Sequence, residues 1–167
     1  MLAQNIDTIY KKDIIINEPI KNSILLHSNF YKLLYSNDIV TLNGIFIKFD
    51  LDNINIDSKN LKIELKDNIN DKFINQLRNL EEIILDLLNI QDKVKIFKIN
   101  EILKTKNFKF NLIKNDINFK NNSEYIIPYE NLKNSFILKI SGIWETKNEY
   151  GITFKIIILN KLLKIMD

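Results

Sequence analysis

The chain runs to 167 residues, 46% hydrophobic and 27% charged, which is enough apolar material for a buried core and too balanced a composition for a disordered chain. Its 24 Lys+Arg against 21 Asp+Glu leave a formal charge of +3, which tolerates a polyanionic partner without singling one out. With no cysteine, disulfides, thiolate metal sites and cysteine nucleophiles are excluded, and a cytoplasmic location is the expectation.

Residues 1 to 7, Met-Leu-Ala-Gln-Asn-Ile-Asp, carry neither the basic start nor the apolar run of a signal peptide. No apolar run approaches the roughly 18 residues of a membrane span, so no membrane partner is expected. Ile, Asn and Lys dominate, and Arg78 is the single arginine. All three abundant residues have A/T-rich codons, so much of the lysine excess reflects base composition, as in AT-rich viruses, plasmids or parasites.

Only three glycines and two prolines punctuate the chain, so Asn, Asp and Ser must make most turns. No linker, composition break or repeat divides it, and residues 1–167 read as one domain. Within residues 1–35, read as an N-terminal extension, Asp13-Ile-Ile-Ile-Asn17 is a short strand and His27 to Tyr35 a short helix or loop. Ile39 to Leu51 reads as a long strand with a bulge or bend at Gly44.

Leu61-Lys-Ile-Glu-Leu-Lys66 alternates at period 2, so Leu61, Ile63 and Leu65 face a core. Phe73, Leu77, Leu80, Ile84, Leu87 and Leu88 recur at spacings of three and four, which predicts an amphipathic helix over about 70–89, capped by Asn70 or Asp71 and the only strong helix in the chain. Strands resume at Val94 to Ile99 and at Phe108 to Ile113, and Asn115 to Glu124 reads as a polar loop. Phe136 to Trp144 and Gly151 to Leu159 flank a short polar turn as a long hairpin. The fold class is therefore mainly β with one central helix (β+α), in the element order of an OB-like Greek-key barrel over about 36–160, an order other α+β folds share.

Catalytic motifs are scarce. His27 is the only histidine and there is no Gly-x-Ser-x-Gly elbow, which excludes a Ser-His-Asp triad. Neither common phosphate-binding glycine motif occurs. Asp50 to Asp57 has spaced carboxylates but lacks the glycine and the twelfth-position glutamate of a calcium loop. Asp52 followed by Glu64-Leu-Lys66 matches a metal-dependent nuclease pattern, but Glu145-Thr-Lys147 shows how readily a lysine-rich chain makes that spacing. No cofactor, metal site or enzymatic role is expected.

The C-terminal hairpin carries the most specific signal. Trp144, Tyr150 and Phe154 could stack on bases, and Lys139, Lys147 and Lys155 could neutralise phosphates. Strand parity opposes part of this. Trp144 falls in phase with Leu138 and Ile140, and Phe154 with Ile152 and Ile156, which are core positions unless a bulge at Ser141-Gly142 changes the phase. Lys139, Ser141, Thr153 and Lys155 lie on the opposite face, which Phe46 and Lys48 could extend. For each lysine taken singly, plain solvation is the competing reading.

The segment Leu138-Lys-Ile-Ser-Gly-Ile-Trp-Glu145, a polar turn, then Tyr150-Gly-Ile-Thr-Phe-Lys155 resembles the terminal hairpin of OB-fold single-stranded DNA-binding proteins of large cytoplasmic DNA viruses and related AT-rich replicons. The resemblance covers about residues 133–159 and rests on Gly142, Trp144, Gly151, Phe154 and Lys155. It implies non-sequence-specific protection of single-stranded DNA in replication or repair, with RNA, self-association and replication-protein partners left open. Many such proteins end in an acidic tail, whereas this chain reads Lys161-Leu-Leu-Lys-Ile-Met-Asp167, so partner recruitment by a tail is not expected. The rival readings are a structural or adaptor protein of a viral or plasmid complex and, more remotely, the nuclease.

Overall fold

The computed structural model describes residues 3–22, 27–51, 54–57, 60, 62–65, 71–88, 90–109 and 134–159. Two short 3-10 turns lead into β1 (Ile14–Ile16) and β2 (Ile20–Lys21), followed by β3 (Asn29–Ser36), β4 (Thr41–Leu42) and β5 (Ile45–Leu51). After β6 (Ile54–Asp57) and β7 (Lys62–Leu65) comes α1 (Asp71–Leu88), then β8 (Val94–Ile96), α2 (Lys98–Thr105) and β9 (Asn107–Lys109). The hairpin of β10 (Asn134–Glu145) and β11 (Glu149–Leu159) follows.

The principal sheet runs β1-β3-β10-β11-β8, with β5 also paired to β10 and β2 and β4 to β3. It is curled into a half-barrel and is antiparallel throughout except for the β11–β8 pair. A small antiparallel sheet, β6-β7-β9, stands beside it. The architecture is thus mainly β with one main helix.

One edge of β10 serves two partners. Residues 134–140 pair with β5 and residues 142–145 with β3. At the changeover Ser141 is an extra residue: opposite β11, Ile140 faces Phe154 while Gly142 already faces Thr153. A strand that pairs with two neighbours in succession must bend between them, and a bulge supplies bend and twist together. Gly44 takes the matching corner on the other side, at φ +109 and with an added Cβ only 2.6 Å from the Ile140 carbonyl oxygen. The long strand expected over residues 39–51 is therefore cut into β4 and β5 at that glycine, as the bend reading anticipates.

Period-2 alternation turns Ile45, Ile47 and Leu51 of β5 inward and leaves Lys48 and Asp50 exposed. They meet Phe136, Leu138 and Ile140 of β10 and Ile152, Ile156 and Ile158 of β11, and α1 closes over them with Leu77, Leu80, Ile84 and Leu85. Phe49 stacks between Phe73 of α1 and Phe136 of β10 at 5.2 and 5.5 Å. Each such buried aliphatic or aromatic side chain contributes about 1.5–3 kcal/mol, so the helix is held chiefly by its apolar stripe. Ile63 of β7 is fully buried with Lys62 and Glu64 exposed, matching the alternation; Leu61, Lys66 and Asn70 lie outside the described residues.

Three expectations are corrected. His27 to Tyr35 is not a helix or loop: His27 is an exposed turn residue at φ 58, and β3 begins at Asn29. Its alternation is masked in the sequence because pairing partners on both sides, β10 and β1, decide its state. For the same reason residues 1–35 are no appendage, since β1 to β3 belong to the principal sheet and Ile14, Leu33 and Tyr35 to the core. The strand expected over Val94 to Ile99 ends at Ile96, and α2 makes a second helix with Ile99 and Leu103 buried. The segments 110–113 and 115–124 fall outside the described residues.

A carboxylate remote in sequence explains α2. Its N-cap residue, Phe97, has no capping side chain. Glu81 of α1, fully buried, instead accepts from the Ile99 and Asn100 backbone N–H groups at 3.1 and 3.4 Å, satisfying donors that a helix start leaves open. Burial pushes its carboxyl up, against the lowering by backbone donors at Ile99, Asn100 and Lys98. A raised folded value means that this group's titration favours the fold most at low pH and loses that contribution as pH rises through it. Glu81→Ala is expected to cost about 2 kcal/mol in urea unfolding at neutral pH, and Glu81→Gln less, since an amide oxygen still accepts one bond.

Candidate nucleic-acid interface

The bulge at Ser141 decides which way the tryptophan points. Residues directly paired across β10 and β11 share a face, so Leu138 with Ile156 and Ile140 with Phe154 face the core, whereas Lys139 with Lys155 faces outward. Without an extra residue Trp144 would continue the core row. Ser141 shifts the phase by one, so Ile143 with Ile152 takes the core row, and Gly142 with Thr153 and Trp144 with Gly151 join the lysines. Register with β3 adds Phe30 opposite Trp144 and Lys32 opposite Gly142, and register with β5 adds Phe46 and Lys48.

Two glycines make room for two rings. A Cβ at position 142 would overlap Phe30 Cζ and the Tyr31 carbonyl oxygen. One at 151 would sit 2.9 Å from both Trp144 Cζ2 and the Ile96 carbonyl oxygen. Phe30 and Trp144 therefore lie down on bare backbone. Trp144 is 9% exposed, and the Lys98 ammonium stands 4.7 Å from the centre of its ring. The indole Nε1–H is buried and has no hydrogen-bond partner among the described residues.

Beside these rings opens a groove of about 1020 Å³. Phe30, Trp144, Phe154 and Ile102 supply apolar wall, Thr153 and Asn107 polar groups, and Lys21, Lys98, Lys109 and Lys155 the charge. All four lysines are exposed, and no carboxylate is among the described lining residues. Further along the outer face Lys139 lies directly across from Lys155, with its ammonium 5.0 Å from the centre of the Phe46 ring. Burial, then the charges of Lys155 and Lys32, hold the Lys139 ammonium below its ordinary value. Like charges placed directly opposite across a sheet oppose folding, so this cluster is not explained by stability.

The hairpin turn beyond Trp144 is tied down by Glu145. Its carboxylate accepts from Asn29 Nδ2 at 3.0 Å and Tyr31 Oη at 2.8 Å and pairs with Lys93, which also donates to the Thr146 carbonyl at 2.8 Å. Burial pushes the Glu145 carboxyl up, but the donors Lys93, Asn29 and Tyr31 outweigh it and leave the group below its ordinary value. The Tyr31 phenol is pushed up to about 12, by burial first and then by its hydrogen bond to Glu145. A depressed carboxyl stabilises the fold above the ordinary carboxylate range and loses that stabilisation as pH falls through its folded value. Glu145→Gln should cost about 2 kcal/mol at neutral pH and flatten the acid limb of the stability profile, measured by urea unfolding between pH 3 and 7.

The structure sorts the residues singled out from the sequence. Lys139, Thr153, Lys155, Trp144, Phe46 and Lys48 share the outer face, and Ser141 is the bulged residue that brings Trp144 there. Lys147 is exposed in the turn. Phe154 is half-buried against the core and reaches only the groove wall. Tyr150 is corrected: at 1% exposed it is a core residue, because it pairs with Glu145 on the inward row, and no base can reach it. Sequence reasoning missed Phe30, Lys32 and Lys98, whose segments were misassigned, and Lys109, whose strand is legible from Phe108 onward but whose place beside the groove depends on tertiary packing.

Of the nuclease triplet, Asp52 and Lys66 lie outside the described residues, and Glu64 is exposed on β7, within hydrogen-bond range of Asn55 Nδ2 at 3.4 Å. Among the described residues no three His, Cys, Asp or Glu are grouped to hold a metal, and no helix is long and apolar enough to cross a membrane. Compared with protein-family models, curated proteins and solved structures, the chain has no match.

Proposed function

We propose that the outer face of β3, β5, β10 and β11 binds single-stranded DNA without sequence preference and without catalysis. The observation that carries this reading is the pairing of Phe30 and Trp144, packed against Gly142 and Gly151, with a groove whose described walls hold four lysines and no carboxylate. Aromatic faces that accept any base, set beside cations that follow the phosphates, are what sequence-independent single-strand binding requires. The like-charge cluster at Lys32, Lys139 and Lys155 supports it, since a polyanion relieves a repulsion that the fold otherwise carries. Within this reading the curled sheet, its bulged strand and the central helix form an OB-like barrel serving replication or repair of an AT-rich genome.

Fluorescence anisotropy of labelled oligo-dT tests it. Binding is expected at low salt and should weaken linearly in log–log form with added salt, with a slope of about −0.7 for each phosphate neutralised. A flat salt response, or no binding at low salt, would reject the proposal. The same titration with oligo-rU separates DNA from RNA.

The adaptor reading has one observation of its own. Ile39 is 93% exposed in the β3–β4 turn, and Val94 and Ile20 are 61% exposed, which suits contacts with another protein. These side chains are scattered, as single exposed apolar residues commonly are.

A further inference from the structure

We infer that the groove beside Trp144 receives one base of the bound strand on the indole, and that Lys98 acts as a placeholder there, displaced by the base and turned to its phosphate. This rests on the single-strand reading above and adds how the site is kept and filled. One face of the indole is packed on Gly151, where an added Cβ would come within 2.9 Å of Trp144 Cζ2, so a base can approach only from the other side. That side holds the Lys98 ammonium, 4.7 Å from the ring centre.

A cation over an indole is a weak, exchangeable neighbour, worth about 0.5–1 kcal/mol where solvent reaches it. A base stacked on the same surface is worth about 1–3 kcal/mol, so exchange runs toward the base. Lys98 is exposed and is the first residue of α2, so its flexible stem can swing without disturbing the helix. The groove volume of about 1020 Å³ exceeds what one nucleotide needs and falls at the upper end of small-ligand sites. Lys155 and Lys109 on its other walls leave the occupant's charge compensated while Lys98 moves.

Because Trp144 is the only tryptophan, its indole N–H gives one resonance in a ¹H–¹⁵N spectrum. The test titrates thymidine 5′-monophosphate, thymidine and inorganic phosphate separately into the wild-type protein, Lys98→Met and Lys98→Arg. The monophosphate should shift this resonance saturably, and inorganic phosphate should not. Lys98→Met should bind thymidine at least as tightly as wild type while losing about fivefold for the monophosphate, which Lys98→Arg restores. Equal losses for thymidine and its monophosphate in Lys98→Met would overturn the displacement step. An unmoved indole with oligo-dT still bound would overturn the base site and leave the single-strand interface standing. If oligo-dT fails to bind as well, both readings fall together.

Discussion

Replacing Lys32, Lys139 and Lys155 together by threonine should weaken oligo-dT binding about thirtyfold, at about 0.7 kcal/mol for each charge contact. The salt slope should shrink by about 2, since single strands release about 0.7 counterion per neutralised phosphate. The same triple variant should be more stable than the wild type, by about 0.5 kcal/mol. It removes a like-charge pair held directly across the sheet, Lys139 with Lys155, and puts a strand-favouring residue at each position. The two signs are the diagnostic. Lysines that served only the fold would lose stability on replacement and leave binding alone, and a variant with unchanged affinity and slope would remove the outer face from consideration.

The second large effect is on folding. Gly142→Val should cost more than about 3 kcal/mol, because the new side chain meets the Phe30 ring and, behind it, the Tyr31 carbonyl oxygen, where a ring can tilt but a paired backbone cannot yield. Adding Phe30→Ala should recover only part of the loss, since the overlap with the Tyr31 backbone remains. Urea unfolding of the single and double variants measures both terms. Near-wild-type stability of Gly142→Val would show that β3 does not approach β10 as described. Gly142 also sits beside the bulge, so its loss should disturb the same turn of phase that brings Trp144 outward.

That phase marks the boundary between what residue pattern shows and what it hides. The alternation in β5 and β7, the three-and-four spacing of Leu77, Leu80 and Ile84, and the β10–β11 hairpin are all legible, because burial on one face imposes a local period on the chain. So is the outward row of Lys139, Thr153 and Lys155. Trp144 is not. Counted from Leu138 it belongs to the core, and a single unpaired residue, Ser141, reverses it. That bulge exists because β10 leaves β5 and joins β3 at this point, a fact about strands about a hundred residues away.

The same holds for α2 and for the groove. Lys98 to Thr105 is a short segment with no capping side chain of its own, and it is helical because Glu81, supplied by another helix, closes its open N–H groups. Phe30 reaches Trp144 only through the register of β3 on β10. Lys98 reaches it only because α2 begins where Glu81 places it. Periodicity and composition therefore suffice for the class of fold, its main helix and one charged row, since each depends on neighbours in the chain. The site itself joins β2, β3, α2, β9, β10 and β11, and only tertiary packing brings those segments together, because register and bulges are set by whichever backbone donors and acceptors meet across the sheet.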